Sequence, residues 1–414
     1  MKHIFSIIAI MGTALPMSAQ QSYTLEECRA MALEHNIAIR NADRATEQSE
    51  EQKKEAFTNY FPTVSAAGIT GKLNKDFLGL IDGGTYATVT AIQPIFAGGQ
   101  IINGNKLARV GLDASRIQQE QQANEVRLTT EKYYWQILVL QEKLTTLDRV
   151  YAMLERLNTD VTASVKAGVA LRNDLLQVQL KQNEVESNRI KLRNGIKVSK
   201  MVLAQYAGID DADYSLGSDI NVETMPAFPL ELKQDHNSSL LSTTEYRLLS
   251  KNVESTTIQR KMEVGKNLPK IGVGASYSYM NLMSQDSWTG AVFATVSVPI
   301  SSWWGGSHAI KRKKLAEQTA REQLEDNSEQ LIIRMEKDWN DVEDAYKQLA
   351  LAKKSIEQSE ENLRLNNDFY RAGTTTMSEV LDAQQYYQQA RDSYVEAYSD
   401  YRTKIEEYKV ATGK

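Results

Sequence analysis

Lys270-Ile-Gly-Val-Gly-Ala-Ser-Tyr-Ser-Tyr279, followed after a polar loop by Ala291-Val-Phe-Ala-Thr-Val-Ser-Val-Pro-Ile300, is the stretch on which the fold turns. In the first arm Ile271, Val273, Ala275, Tyr277 and Tyr279 alternate with Gly272, Gly274, Ser276 and Ser278. In the second, Val292, Ala294, Val296 and Val298 alternate with Phe293, Thr295 and Ser297. A period of two over about ten residues marks a strand with two unlike faces. Small polar residues on one face and apolar or aromatic ones on the other suit a strand in a bilayer. They also suit an amphipathic hairpin of a soluble sheet, so the surrounding chain has to decide.

Upstream, Thr24 with Glu27 three residues on forms a capping box, which predicts a helix over 24–59. Tyr60-Phe-Pro62 stops it, because a proline disfavours helix in the residue before it. Residues 63–71 are small and strand-permissive, 72–85 read as a loop, and a second strand over 86–92 ends near Pro94. Gly98-Gly99 releases the chain into a proline-free run over 100–163. There Leu140, Leu144, Leu147, Tyr151, Leu154 and Val161 fall at steps of three and four, a heptad seam with Asn158 as its polar step. Lys166-Ala-Gly168 turns the chain, and a returning helix over 173–206 ends at Ala207-Gly208. Its apolar side carries Leu171, Leu175, Val178, Val185 and Leu192. Residues 209–239, with Pro226 and Pro229, read as an irregular connector. A helix over 243–265 then leads to Pro269 and the opening hairpin.

The second half repeats the first. Pro94 and Pro299 lie 205 positions apart, as do Gly168 and Gly373, and Gly208 and Gly413. Asn173-Asp-Leu-Leu-Gln-Val-Gln179 lies over Ser378-Glu-Val-Leu-Asp-Ala-Gln384 at the same offset. The domain reading is therefore a signal peptide over 1–19, a first repeat over 20–208, a connector over 209–239 and a second repeat over 240–414. Pro62, Pro94, Pro269 and Pro299 mark the strand–helix junctions, two per half.

Composition narrows the function. Met-Lys-His and a short apolar run, closed by Pro16-Met-Ser-Ala-Gln20, read as a secretory signal peptide cleaved after Ala19. No later run is long and apolar enough for a membrane helix, so any crossing has to be by strands in a closed barrel. The net charge of −5 comes without a basic block, which argues against nucleic acid. The single cysteine, Cys28, forms no internal disulfide and reads as a buried helical residue. No catalytic or metal-binding constellation is present, and no cofactor is implied. His3, His35, His236 and His308 stand singly, and 98–104 lacks the spacing and the Lys-Ser/Thr of a phosphate loop.

Four strands cannot seal a bilayer pore, because each exposed backbone group at an open edge costs several kcal/mol. Identical chains must supply the rest: two copies give eight strands, three give twelve. The chain here resembles the TolC-type outer membrane factors, the exit ducts of Gram-negative efflux and type I secretion systems. The likeness rests on Tyr23-Thr-Leu-Glu-Glu-Cys-Arg-Ala-Met-Ala-Leu-Glu-His-Asn36, on Phe61-Pro62 and Leu268-Pro269, and on the tips 167–179 and 370–384. It implies a mainly α protein with a β-barrel portion, a homotrimer whose twelve-stranded outer-membrane barrel continues into a coiled-coil α-helical barrel in the periplasm. It further implies an inner-membrane pump and a periplasmic adaptor as partners. A secreted coiled-coil scaffold or adaptor with a soluble sheet is the second reading.

Three groups of site residues follow. Asp174, Glu379 and Asp382 lie just past the turn glycines. Acids there favour the helix dipole, and repeated around a ring they form an acidic collar at the periplasmic entrance, where the family places acids matching Glu379 and Asp382. Crowded carboxylates favour cations over anions. At Thr375 the chain departs from the family's best-known member, which has an arginine in that loop, and Arg371 stands as the substitute. Val165, Ala167, Gly168, Arg371, Ala372, Gly373 and Thr374 form small, open tips for adaptor docking. Trp288, Trp303 and Trp304 flank the second hairpin, as aromatics at a membrane interface do.

Overall fold

The computed structural model of the chain describes residues 22–72, 83–210, 213–218, 220–282, 285–300 and 302–414. The expected signal peptide and most of the expected 72–85 loop lie outside the described residues. In chain order the elements are β1 (Ser22–Tyr23), α1 (Leu25–His35), α2 (Ile37–Thr58), β2 (Thr63–Lys72), β3 (Gly83–Ala97), α3 (Gln100–Lys166), α4 (Arg172–Ala207), β4 (Ser215–Leu216), α5 (His236–Ser239), α6 (Thr244–Lys266), β5 (Lys270–Leu282), β6 (Gln285–Ser297), α7 (Ser302–Arg371) and α8 (Met377–Ala411). The fold is mainly helical. Helix α3 has 67 residues and α7 has 70, so each rises about 100 Å.

The chain divides into two compact units. The first holds Met1–Asn36, Thr129–Pro226 and Lys347–Asp400; the second holds Ile37–Leu128, Ala227–Tyr346 and Tyr401–Lys414.

In the second unit β2, β3, β5 and β6 form one antiparallel sheet in that order. The hairpin over 270–300 is present as expected. Strand β3 differs from its expectation: it runs past Pro94 to Ala97, with its register shifting between Pro94 and Phe96. Proline lacks the N–H that a regular ladder needs, and a bulge is where a strand tolerates it. Pro94 is therefore a bulge inside a strand, whereas Pro62, Pro269 and Pro299 do sit at element ends.

The first unit is packed around helices. Leu147, Val150, Leu154 and Val161 of α3 form one buried cluster with Val178 and Val185 of α4 and Met377 and Val380 of α8. Three of these are members of the predicted heptad seam, and Tyr151 packs against the cluster. Leu171 departs from its expected apolar side and is 69% exposed, because it is the N-cap residue of α4 and lies outside the helix. Helix α1 opens with the expected capping box, Glu27 N–H donating to Thr24 Oγ1 at 3.3 Å and Thr24 N–H to Glu27 Oε2 at 2.8 Å. The helix predicted to run to residue 59 breaks at Asn36, whose ψ is 135°. The buried Asn36 side chain donates to the Tyr206 carbonyl at 3.0 Å, a partner 170 positions away that no local reading reveals. Cys28 is fully buried, and burial pushes its thiol up to about 12.

Gly208 closes α4 at φ +75°, and a Cβ there would lie 2.4 Å from the His35 Cβ. Gly168 has φ +76° with nothing within 4 Å of such a Cβ. Gly168→Ala meets only the left-handed backbone penalty, about 1 kcal/mol. Gly208→Ala adds overpacking and is expected to cost about 3 kcal/mol. Urea midpoints of the two variants, measured side by side, check the difference.

Candidate functional site

The sheet has two unlike faces, and the register carries each across all four strands. Residues directly opposite in neighbouring strands share a face. Val64 faces Ala91, Ala91 faces Ala275 and Ala275 faces Val292; Ala66, Val89, Tyr277 and Gly290 form the next row. Ile271, Val273 and Val296 complete this apolar face, and Val292 is 89% exposed. The other face is small and hydroxylated: Ser65, Thr90, Ser276 and Ala291 share one row, and Thr88, Ser278 and Thr289 share part of another. Ser278 Oγ donates to Thr88 Oγ1 at 3.0 Å on that face. The Phe293 ring lies over Gly274, so a Cβ at Gly274 would come within 2.8 Å of it.

An exposed apolar face and a sheltered polar one invert the pattern of a soluble sheet, in which apolar residues are buried. The two edges are open as well: among the described residues β2 pairs with β3 alone and β6 with β5 alone. Trp288 stacks on Tyr277 with ring centroids 5.4 Å apart, and Trp303 donates its indole N–H to the Asn267 carbonyl at 3.0 Å. Trp304 is 81% exposed in the first turns of α7.

The tips lie in the first unit. Each long helix ends in the same cap: Val169 N–H donates to the Ser164 carbonyl and Gly168 N–H to that of Val165, while Thr374 N–H donates to Phe369 and Gly373 N–H to Tyr370. These are Schellman motifs, which need a left-handed residue at the glycine, and Gly168 and Gly373 have φ +76° and +73°. Ala167, Gly168, Arg371, Ala372, Gly373 and Thr374 are exposed, and Val165 packs against the core. A cavity of about 490 Å³ brings Asp174 together with Tyr370, Arg371, Gly373 and Thr375. Burial, and then the Asp174 carboxylate to which it is hydrogen-bonded, push the Tyr370 hydroxyl above its usual range.

Glu379 and Asp382 are not among the residues lining that cavity. Glu379 closes a capping box on α8: Thr376 N–H donates to its Oε2 at 3.0 Å, and its own N–H donates to Thr376 Oγ1 at 3.4 Å. Hydrogen bonds from Thr375 and then Thr376 hold its carboxyl below the usual range. Asp382 is exposed on α8. The helix-dipole reading thus accounts for where Glu379 sits.

Several groups escaped the sequence. Tyr394, Tyr401 and Tyr408 recur every seven residues on α8 and are buried. In the first unit Tyr394 donates to the Asn221 carbonyl at 2.9 Å. In the second, Tyr401 donates to the Ala227 carbonyl at 3.3 Å and Tyr408 accepts from Gln234 N–H at 2.9 Å. The expected irregular connector is thereby tied by phenols to a heptad of α8. His236, read as a lone surface or capping histidine, is buried instead. Its ring reaches Tyr408 Oη at 3.1 Å and Glu336 Oε2 at 3.2 Å. The heptad tyrosines were visible, but their partners are about 170 positions away. Gly98, in the glycine-rich 98–104 stretch, packs against the Gly265 backbone, where a Cβ would lie 2.1 Å from the carbonyl oxygen; the glycines there serve close approach.

The order of helices, strands and tips defines a duct of the outer membrane, and sequence comparison gives its family. The outer membrane efflux protein family model matches residues 29–209 and 249–414. The chain belongs to that family and is an exit duct for efflux at the outer membrane. Three solved channels share the fold. The CmeC outer membrane channel of Campylobacter jejuni has a TM-score of 0.80 at 15% identity, covering 94% of this chain and 85% of that one. VceC of Vibrio cholerae has a TM-score of 0.76 at 13% identity, covering 94% and 96%. The open state of MtrE of Neisseria gonorrhoeae has a TM-score of 0.77 at 16% identity, covering 94% and 88%. No functionally curated protein matches the chain in sequence. The scaffold reading is set aside by the family match.

Asp392 is an acid out of place. Burial, reinforced by Glu396 and opposed by Lys143, raises its carboxyl to about 6. Its folded value lies above the unfolded one, so its cost to stability is absent below about pH 4, grows through pH 4–6 and is complete above that range. Asp392→Asn is therefore expected to gain about 1 kcal/mol at pH 7.5, discounted for partial exposure, and nothing at pH 4. Melting curves at the two pH values check the sign.

Proposed function

We propose that the chain works as a homotrimer whose twelve strands close into an outer-membrane barrel. In this reading the apolar sheet face meets lipid and the hydroxylated face lines the pore. The single observation that carries it is the two-faced four-stranded sheet with both edges open: sealing those edges needs further strands, and identical chains supply them in the right number. The recurring order of two strands, long helix and returning helix makes each chain two tandem repeats, 20–208 and 240–414, with 209–239 as an equatorial connector. Leader removal over 1–19 delivers it to a Gram-negative envelope. Cargo arrives from an inner-membrane pump, through a periplasmic adaptor, and passes without catalysis. Both efflux and type I secretion fit such a conduit.

Faces and edges generate one test. Val292→Lys places a cation on the apolar face, at a cost of about 2–4 kcal/mol in lipid. It is expected to abolish heat-modifiable migration and recovery in the outer-membrane fraction. Ser276→Lys, on the hydroxylated face, is expected to insert normally and to shift the channel's ion selectivity toward anions in planar bilayers. Equal behaviour of the two variants would overturn the assignment of faces.

At the periplasmic entrance, Asp174, Glu379 and Asp382 of three chains would form a collar selecting cations, with Trp288, Trp303 and Trp304 at the membrane interface. The tips, from Val165 to Gly168 and from Arg371 to Thr374, would dock the adaptor. Open space around Gly373 supports this, since a partner hairpin can approach its backbone. Gly373→Trp is expected to lower adaptor cross-linking in intact cells at least tenfold while trimers persist; undiminished cross-linking would remove the tips from the docking surface.

A further inference from the structure

Where α3 and α6 pack side by side in the second unit, opposite charges pair off unevenly. Arg247 pairs with Glu120 at 2.7 Å, and Lys251 holds both Asp113 at 3.0 Å and Glu254 at 3.1 Å. Glu317 of α7 is shared by Arg260 at 2.6 Å and Arg321 at 2.8 Å. Those two arginines, Arg321 first, hold its carboxyl down at about 2, so it stays a counter-ion to both. Lys106, Arg109, Arg116 and Lys261 are left without a carboxylate partner among the described residues.

The unpaired cations line a continuous groove. A cavity of about 770 Å³ holds Lys106, Arg109 and Lys261, and a second of about 350 Å³ holds Arg116; the two share Asp113, Ser250 and Lys251. The larger lining carries five cations against two carboxylates, and one lysine already binds both carboxylates. This excess stands in a chain whose net charge is −5. Beneath the charges lie Val110, Ile117 and Ile258, exposed by only 5%, 5% and 6%. Cations gathered over one cavity repel each other unless an anion joins them. A small inorganic anion would leave the apolar floor unused, and a neutral solute would leave the charges unmatched.

We propose that this groove binds an amphiphilic organic anion. Its carboxylate, sulfate or phosphate head sits among Lys106, Arg109 and Lys261, and its apolar body lies on Val110 and Ile258. A dissolved anionic solute and an anionic phospholipid share this chemistry. The site does not depend on the conduction reading, because it is tested by binding and conduction is tested in bilayers.

Fluorescence anisotropy of pyranine, a pyrene bearing three sulfonates, with the full chain in neutral detergent provides the test. Saturable binding that weakens with added salt is expected, and none of the cationic dye rhodamine 6G at the same concentrations. Lys106→Gln/Arg109→Gln/Lys261→Gln is expected to weaken pyranine at least tenfold. Asp113→Asn, which frees Lys251, is expected to tighten it severalfold, a gain that misfolding does not produce. Displacement by phosphatidylglycerol and not by phosphatidylcholine supports the site with a lipid occupant; retention of pyranine against both supports it with a dissolved one. Unchanged affinity in the triple variant, or no gain in Asp113→Asn, overturns the proposal.

Discussion

Everything in this fold answers to the open edges of a four-stranded sheet. Strands β2 and β6 each use one side of their backbone and leave the other side's donors and acceptors unmatched within the described chain. In water such an edge is a hazard of aggregation; in hydrocarbon it is prohibitive. The sheet cannot retreat from hydrocarbon, because its exposed face is Val64, Val89, Val273 and Val292, with no charge on it to hold water. Apolar surface and unpaired backbone are thus two halves of one constraint. Lipid satisfies the first, and only more strands satisfy the second.

The helices follow the strands in order. Contacts within the second unit link α2 to α3 through Thr46 and Ser115, α3 to α6 through Asp113 and Lys251, and α6 to α7 through Arg260 and Glu317. That is the order β2, β3, β5, β6 continued into helix. A layer whose neighbours are the same in strand and helix passes from one to the other without a crossing chain. The connections stay short: Gly98-Gly99 joins β3 to α3, and Asn267-Leu268-Pro269 joins α6 to β5.

What could be read from the chain alone was what repeats locally. A period of two exposed both faces of β5 and β6 because the alternation is a property of consecutive residues. Prolines and glycines marked most boundaries because they act on their own backbone. Pro94 was misplaced for an instructive reason: proline was read as a stop, and the register shows a strand that bends around it. Asn36, His236 and the tyrosines of α8 were opaque for another. Each is decided by a partner 100 or more positions away, and no local pattern announces that distance. Among the tip residues, spacing located Gly168 and Gly373, while the cavity joining Asp174 to Arg371 depends on packing between hairpins.

The two tips show how far a repeat can diverge while keeping its frame. Both long helices close with the same hydrogen bonds onto a left-handed glycine, so the turn itself is common property. The helices that leave the turns do not start alike. Leu171 caps α4 with no side-chain hydrogen bond, whereas Thr376 and Glu379 cap α8 reciprocally. A side-chain cap is worth about 1 kcal/mol to a helix start, so the α7–α8 tip is the firmer of the two and α4 begins the more easily frayed. The acidic residue in each first turn therefore has a different freedom. Glu379 is committed to its own helix, while Asp174 turns toward Tyr370 on the neighbouring hairpin. Divergence of one threonine to leucine is enough to convert a cap into a tether between hairpins, and with it a symmetric pair of acids into two groups with separate work.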